Sequence, residues 1–184
     1  MRREIRIAGF GGQGIGLAGF ILGKALALYD GKEAVMTQAY GPEARGGASS
    51  ANIVMAEEPI DYPFIQQPDI LVALSQEAYT RFRPAARPQA LIFVDQDLVA
   101  PDPGDQVQAI PATRLAEGLG RRIVANLVIL GFFTAVSGLV SRQAMEQAIQ
   151  TTVKPAAAAL NLQAFSSGFD FACQPADLPG ERAP

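Results

Sequence analysis

A cluster of glycines follows the first apolar stretch of the chain and could bind an anion through its backbone. Alternating residues from Ile5 to Ala8 predict a strand, and Gly9, Gly11 and Gly14 follow it with the spacing Gly-x-Gly-x-x-Gly. An apolar helix is predicted next, so backbone amides and the positive end of a helix dipole meet at the carboxyl end of the strand. Such a turn can hold phosphate without a charged side chain. A tight turn that binds nothing is the alternative.

A second glycine-rich segment carries an arginine. Segment 38–50 leaves the end of the second predicted strand, at the sheet edge where the glycine turn lies, and places Arg45 among small residues. A guanidinium offers a planar fork of donors that matches carboxylate or phosphate. We therefore predict one anion-binding surface, with a solvated surface arginine as the alternative. Its residues are Gly11, Gly12, Gln13, Gly14, Arg45, Gly46, Gly47 and Ser49.

The chain lacks the residues that most catalytic centres use. It has no histidine, which excludes a Ser-His-Asp triad and removes the most common metal ligand. Its single cysteine, Cys173, cannot hold an iron–sulfur cluster, which needs about four thiolates. The net charge of -3 gives no basic footprint for nucleic acid. We expect no catalytic residue, no metal site and no cofactor bound by this chain alone.

An ordinary nicotinamide site is disfavoured by the second predicted strand. Dinucleotide-binding domains place an acid about 20 residues beyond the glycine fingerprint, where it binds the ribose hydroxyls. Here the strand ends in Thr37 and Gln38, and Glu33 lies at its other end. Polar residues after two later strands, Ser75 and Asp95, are predicted to be helix caps or turn residues rather than ligands.

The order of apolar segments predicts the fold class. Strands are expected at 4–8, 33–38, 49–56, 69–74, 90–95 and 107–110, and helices at 13–29, 76–82, 111–117, 123–140, 142–151 and 155–165. This alternation predicts an α/β protein with a single Rossmann-like, open, mostly parallel sheet, flanking helices and a helical C-terminal third. We expect one domain, 1–171, and a flexible tail, 172–184. Segment 123–140 could just span a bilayer, but it contains Asn126 and is predicted to be a buried helix.

Together the two glycine-rich motifs resemble the gamma subunit of 2-oxoacid:ferredoxin oxidoreductases. The resemblance rests on Gly9-Phe10-Gly11-Gly12-Gln13-Gly14 followed by segment 38–47, and it extends to about Gly168. The pyruvate, 2-oxoglutarate, ketoisovalerate and indolepyruvate enzymes share these motifs, so the motifs leave the substrate open. The length of the chain favours 2-oxoglutarate.

The resemblance implies a subunit that is inactive alone, in a complex that converts a 2-oxoacid, coenzyme A and oxidised ferredoxin to acyl-CoA, CO2 and reduced ferredoxin. The expected partners are alpha and beta subunits, coenzyme A and ferredoxin, with a ferredoxin-like delta subunit as a further candidate. Thiamine diphosphate and iron–sulfur clusters are expected on the partner subunits. Neither nucleic acid nor a membrane is an expected partner, and the absence of a signal peptide pattern predicts a cytoplasmic location.

Two alternatives to this function remain open. In one, the chain is a non-catalytic scaffold of the same complex or of an indolepyruvate-type complex, and both loops only contact partner subunits. In the other, it is a free-standing dinucleotide-binding protein.

Overall fold

The computed structural model describes residues 1–39 and 48–173, and in this part of the chain six strands form one sheet. The strands are β1 Arg3–Phe10, β2 Glu33–Ala39, β3 Ala48–Ala56, β4 Ile70–Ala73, β5 Leu91–Asp95 and β6 Val107–Ile110. Their order across the sheet is β2-β3-β1-β4-β5-β6. β1, β4, β5 and β6 are parallel neighbours, as the apolar runs predict. The α/β prediction with an open, mostly parallel sheet is confirmed.

One strand departs from a simple parallel arrangement. β3 runs antiparallel to both β1 and β2 and lies between them. The connection between β2 and β3 spans only 40–47, whereas a parallel crossover needs about a dozen residues or more, so this pair must be antiparallel. β2 consequently runs in the same direction as β1 but lies two strand spacings away, at about 10 Å.

Six helices flank the sheet in the described ranges. They are α1 Ile15–Lys24, α2 Gln76–Phe82, α3 Ala112–Gly118, α4 Ala125–Ser137, α5 Arg142–Gln150 and α6 Pro155–Cys173. A π-helical turn, Ala25–Tyr29, extends α1, and a 3₁₀ turn, Arg122–Val124, precedes α4. Contacts between helix and strand side chains place α1 and α4 against one sheet face and α2 against the other.

The central core lies between the sheet and α4. Phe93 of β5 makes edge-to-face contacts with Phe132 and Phe133, at centroid distances of 5.9 and 5.3 Å. Such geometry adds to the free energy gained from burying the rings. Asn126 is buried too, which confirms the prediction that this segment is an internal helix. None of the described helices has both the length and the apolar character that crossing a membrane requires.

The last helix is longer than the sequence predicts. The predicted end is near Phe165, but α6 continues to Cys173. Gly168 allows this, because a Cβ there would lie 1.8 Å from the carbonyl oxygen of Val128 on α4. The two backbones therefore pack closely, and α4 supports the final turns of α6. Residues 172 and 173, assigned to the tail, lie in this helix, and 174–184 lie outside the described residues.

Candidate functional site

The glycine turn joins β1 to α1 with a backbone that only glycine adopts easily. Gly12 and Gly14 have φ angles of +92° and +72°. Gly14 is the N-cap residue of α1, and its carbonyl oxygen accepts hydrogen bonds from Ala18 N at 2.9 Å and from Asn126 Nδ2 at 3.1 Å. α4 thus fixes the start of α1. The helix has no acidic residue in its first turn, so the positive end of its dipole is not neutralised from within the helix.

Gln13 braces the turn against the neighbouring strand. Its Oε1 accepts a hydrogen bond from Phe10 N at 2.7 Å, and its Nε2 donates to the carbonyl oxygen of Leu74 at 2.9 Å. The backbone N–H of Gln13 donates to Phe10 O at 3.2 Å. The predicted site residue Gln13 therefore holds the turn in place with donors that are already engaged. Gly11 and Gly12 are exposed at the tip.

The second predicted motif begins and ends beside this turn. Ala39 pairs with Ser50 across β2 and β3, and Ser50 pairs with Ala8 of β1. Ser49 donates a hydrogen bond from its hydroxyl to the carbonyl oxygen of Gly9 at 3.3 Å. Both anchors of segment 40–47 thus lie at the edge that carries the glycine turn. Arg45, Gly46 and Gly47 lie outside the described residues.

Cavities open on both sides of the glycine turn. One, of about 310 Å³, is lined by the glycine turn, the start of α1, Gln38, Ser49 and Ser50. The other, of about 210 Å³, lies towards β4 and is lined in part by Gly12, Thr113 and Arg122. The two cavities share Gly12, so a ligand group of phosphate size could approach the turn from either side.

Arg122 is a residue of this edge that the sequence analysis missed. It lies in the 3₁₀ turn before α4, and its Nε is 3.9 Å from Oε1 of Glu117, so the guanidinium is weakly paired and largely exposed. The signal in the chain was the pair Arg121 and Arg122 directly before a long apolar helix. With Arg122, the described part of this edge contains a cation as well as backbone amides.

The two polar residues after later strands have structural roles, as predicted. Ser75 is the N-cap residue of α2 and accepts a hydrogen bond from Ala78 N at 3.2 Å. Asp95 is fully buried and accepts hydrogen bonds from Thr113 N at 2.8 Å and Thr113 Oγ1 at 2.5 Å. Neither side chain is left for a ligand. Within 1–39 and 48–173, no group of histidine, cysteine and acidic residues is arranged to hold a metal ion.

The sheet order also weakens the nicotinamide alternative. In an ordinary dinucleotide site, the second strand lies beside β1 and ends in the ribose-binding acid. Here β3 occupies that position, and its residues next to Ala8 and Gly9 are Ser50 and Ser49. The position beside the glycine turn thus offers hydroxyl groups instead of a carboxylate.

Comparison with known proteins gives consistent results over nearly the whole chain. Residues 4–171 match the family described as pyruvate ferredoxin/flavodoxin oxidoreductase. The chain is 51% identical to 2-oxoglutarate synthase subunit KorC of Methanocaldococcus jannaschii, across 94% of this chain and 95% of that protein. The crystal structure of the gamma subunit of a keto/oxoacid ferredoxin oxidoreductase from Geobacter sulfurreducens superposes with a TM-score of 0.85 at 42% identity, covering 94% of this chain and 97% of that one.

A more distant relative contains the same region within a longer chain. Ketoisovalerate oxidoreductase subunit VorA of Methanothermobacter thermautotrophicus is 34% identical over 92% of this chain. That match covers only 36% of VorA. The same unit therefore occurs both as a separate polypeptide and as a part of a larger one.

Proposed function

The chain belongs to the pyruvate ferredoxin/flavodoxin oxidoreductase family as the gamma subunit of a 2-oxoacid:ferredoxin oxidoreductase, and we propose that its substrate is 2-oxoglutarate. The observation that supports this substrate is the gradient of identity among relatives that match most of this chain. The identity to KorC subunits of four organisms lies between 39% and 51%, and within Methanothermobacter thermautotrophicus it is 49% to KorC but 34% to VorA. The identity to PorC of Methanothermobacter marburgensis is 34% as well. The proposed reaction converts 2-oxoglutarate, coenzyme A and oxidised ferredoxin to succinyl-CoA, CO2 and reduced ferredoxin.

The chemistry of bond cleavage is proposed to lie on other subunits. This chain has one cysteine and no histidine, and its described residues contain no metal-binding group, so it does not fit an iron–sulfur cluster. Thiamine diphosphate, which would supply the decarboxylation chemistry, and the clusters that would carry electrons to ferredoxin are therefore assigned to the alpha, beta or delta partners.

The part assigned to this chain is a coenzyme A-facing wall. The glycine turn directs the N-terminus of α1 towards a cavity of about 310 Å³, and no acid in the first helical turn opposes an anion there. Arg45 belongs to the segment anchored beside that cavity by Ala39 and Ala48. In this proposal the amides and the guanidinium orient a phosphate of coenzyme A and take no part in making bonds.

Replacing Arg45 tests this role in the assembled enzyme. We expect Arg45→Ala to raise the KM for coenzyme A by about tenfold, equivalent to about 1.4 kcal/mol, with the KM for 2-oxoglutarate little changed. Arg87→Ala is the matched control, because Arg87 pairs with Asp69 at the amino ends of β4 and β5, whereas the glycine turn lies at the carboxyl end of β1. An unchanged KM for coenzyme A in a normally assembled complex would refute the proposal that this chain binds coenzyme A.

The scaffold alternative gives a different result with the same variant. If segment 40–47 only contacts partner subunits, Arg45→Ala lowers the amount of alpha and beta subunit that co-elutes, and the residual complex keeps its kinetic constants. Subunit recovery measured beside the KM therefore separates the two functions.

A further inference from the structure

A third cavity borders the glycine turn on the side of α6. It has a volume of about 290 Å³ and includes Gly14 in its wall. Its lining is mostly apolar, with Leu17, Ile123 and Val153 among its residues, and none of the described residues that line it is acidic. Apolar walls with a few polar groups are the usual form of a small-molecule site.

Three helices begin at this cavity. α1 starts directly after Gly14, α4 directly after Val124 and α6 directly after Lys154, and all three of these residues line the cavity. None of the three helices has an acidic residue in its first turn. The positive ends of three helix dipoles therefore meet at one space, and no carboxylate of the first turns opposes an anion there.

Two polar side chains of the wall have hydrogen-bonding groups that the fold does not use. Among the residues that the structure describes, Lys154 has no ion-pair partner. Asn161 is 8% exposed, and its Nδ2 donates to the carbonyl oxygen of Ala157 at 2.8 Å, while its Oδ1 accepts no hydrogen bond from a described residue. Asn126, by contrast, uses both ends of its amide within the protein. The cavity thus offers one cation and one buried acceptor to a ligand.

We propose that this cavity binds the adenosine end of coenzyme A, with Lys154 on the ribose 3′-phosphate and Asn161 Oδ1 as the acceptor for the amino group of adenine. The inference rests on the proposed binding of coenzyme A and assigns a part of that ligand to each group of the cavity. The base lies against the apolar walls, and its exocyclic amino group is a hydrogen-bond donor. A cation beside a phosphate forms a charge-assisted hydrogen bond, which is roughly twice as strong as a neutral one.

Gly14 connects this cavity with the proposed phosphate site. In coenzyme A the diphosphate and the separate 3′-phosphate are attached to the same ribose, so a diphosphate at the glycine turn brings the 3′-phosphate to an adjacent space. Gly14 belongs to the wall of this cavity and also to that of the cavity of about 310 Å³. Arg122, in the cavity on the β4 side, has its Nε 3.9 Å from Oε1 of Glu117, so Lys154 is the better cation for the 3′-phosphate.

Dephospho-coenzyme A, which lacks only the 3′-phosphate, provides a matched control ligand. The KM and kcat for both ligands are measured with the assembled complex, at saturating 2-oxoacid, by ferredoxin reduction. We expect Lys154→Ala to raise the KM for coenzyme A about tenfold and to leave both kcat and the KM for dephospho-coenzyme A little changed. Lys154→Arg keeps the positive charge and should retain most of the preference for coenzyme A.

An unchanged KM for coenzyme A in Lys154→Ala would overturn the proposal, and so would an equal rise in the KM for both ligands. The result for Arg45→Ala separates this inference from the function on which it rests. If coenzyme A does not bind this chain, neither variant changes the KM. If only the position of the 3′-phosphate is wrong, Arg45→Ala raises the KM and Lys154→Ala does not. Equal recovery of the alpha and beta subunits with each variant shows that assembly is not the cause.

Discussion

At the scale of single residues, two separate features of the structure require glycine at position 14. Its φ of +72° suits glycine, and a Cβ at this position would lie 2.4 Å from Asn126 Nδ2. A side chain here would therefore strain the backbone and displace the amide that fixes the start of α1 to α4.

Gly14→Ala is expected to lower the free energy of unfolding by about 2–3 kcal/mol, measured by urea denaturation. Gly31→Ala is the control, because Gly31 has a φ of +62° and a Cβ there would meet nothing within 4 Å. It should cost only the backbone strain, about 1 kcal/mol. Equal costs for the two variants would show that the contact with Asn126 contributes nothing.

The roles of several site residues could be read from the sequence, and others could not. The position of the glycine turn and the capping and turn roles of Ser75 and Asp95 follow from local order: strand, turn, helix. The bracing role of Gln13 depends on Leu74, which is 61 positions away and becomes a neighbour only when β4 pairs with β1. Long-range pairing of this kind leaves no local signal in the chain.

At the scale of elements, the crossing of α4 and α6 depends on two glycines. A Cβ on Gly131 would lie 1.9 Å from the carbonyl oxygen of Phe165, and a Cβ on Gly168 would lie 1.8 Å from that of Val128. Neither carbonyl oxygen can move independently, because both belong to the backbone of a helix. The helices would have to separate to admit a methyl group.

Gly131→Ala should therefore lower the free energy of unfolding by about 3 kcal/mol or more. Gly23→Ala provides the opposite case within α1, because its nearest neighbour would be Met36 Cβ at an ordinary 3.8 Å. That variant should gain about 0.5–1 kcal/mol from helix propensity. Thermal unfolding of both variants measures the contrast, and a stable Gly131→Ala protein would contradict the close crossing.

A polar network ties α2 to the connection between β5 and β6. Asp105 accepts a hydrogen bond from Tyr79 Oη, and its Oδ1 lies 2.6 Å from Arg83 Nη2. The hydrogen bond from Arg83 lowers the pKa of Asp105 below its ordinary 3.8, while burial raises the pKa of Tyr79. The Asp105 contribution to stability is therefore complete above about pH 4 and is lost as the pH falls through the lowered pKa.

Asp105→Asn should destabilise the protein by about 1–2 kcal/mol at pH 7, and the difference from the wild type should shrink below about pH 4. Asp97→Asn removes the more exposed pair with Arg114 and should cost less than about 0.5 kcal/mol. Urea denaturation at about pH 7 and about pH 3 checks both values. A difference that persists unchanged in acid would show that the carboxylate charge is not the cause.

Strand and helix positions were predictable because apolar periodicity is a local property. The short connection 40–47 is a local signal for the antiparallel direction of β3 that the sequence analysis did not use, whereas the position of β3 between β1 and β2 depends on pairing with both neighbours. The end of α6 lies beyond the predicted Phe165, because the support for its last turns comes from α4. In each case the missing information lies in another element of the fold.

At the scale of the whole molecule, the matches to the oxidoreductase family and to KorC over nearly the whole chain identify it as one subunit of a larger enzyme. Gly12 of the glycine turn and Arg122 line the same cavity, next to the proposed coenzyme A-facing surface. The exposed side chains of Leu17 and Ile123 add apolar surface beside Gly14.

Purifying the complex through a tag on this chain, followed by an assay of ferredoxin reduction, tests the assignment to a 2-oxoglutarate enzyme most directly. The expected result is coenzyme A-dependent reduction with a kcat/KM for 2-oxoglutarate at least about tenfold above that for pyruvate. Preference for pyruvate, or equal activity in a complex that lacks this chain, would contradict the assignment.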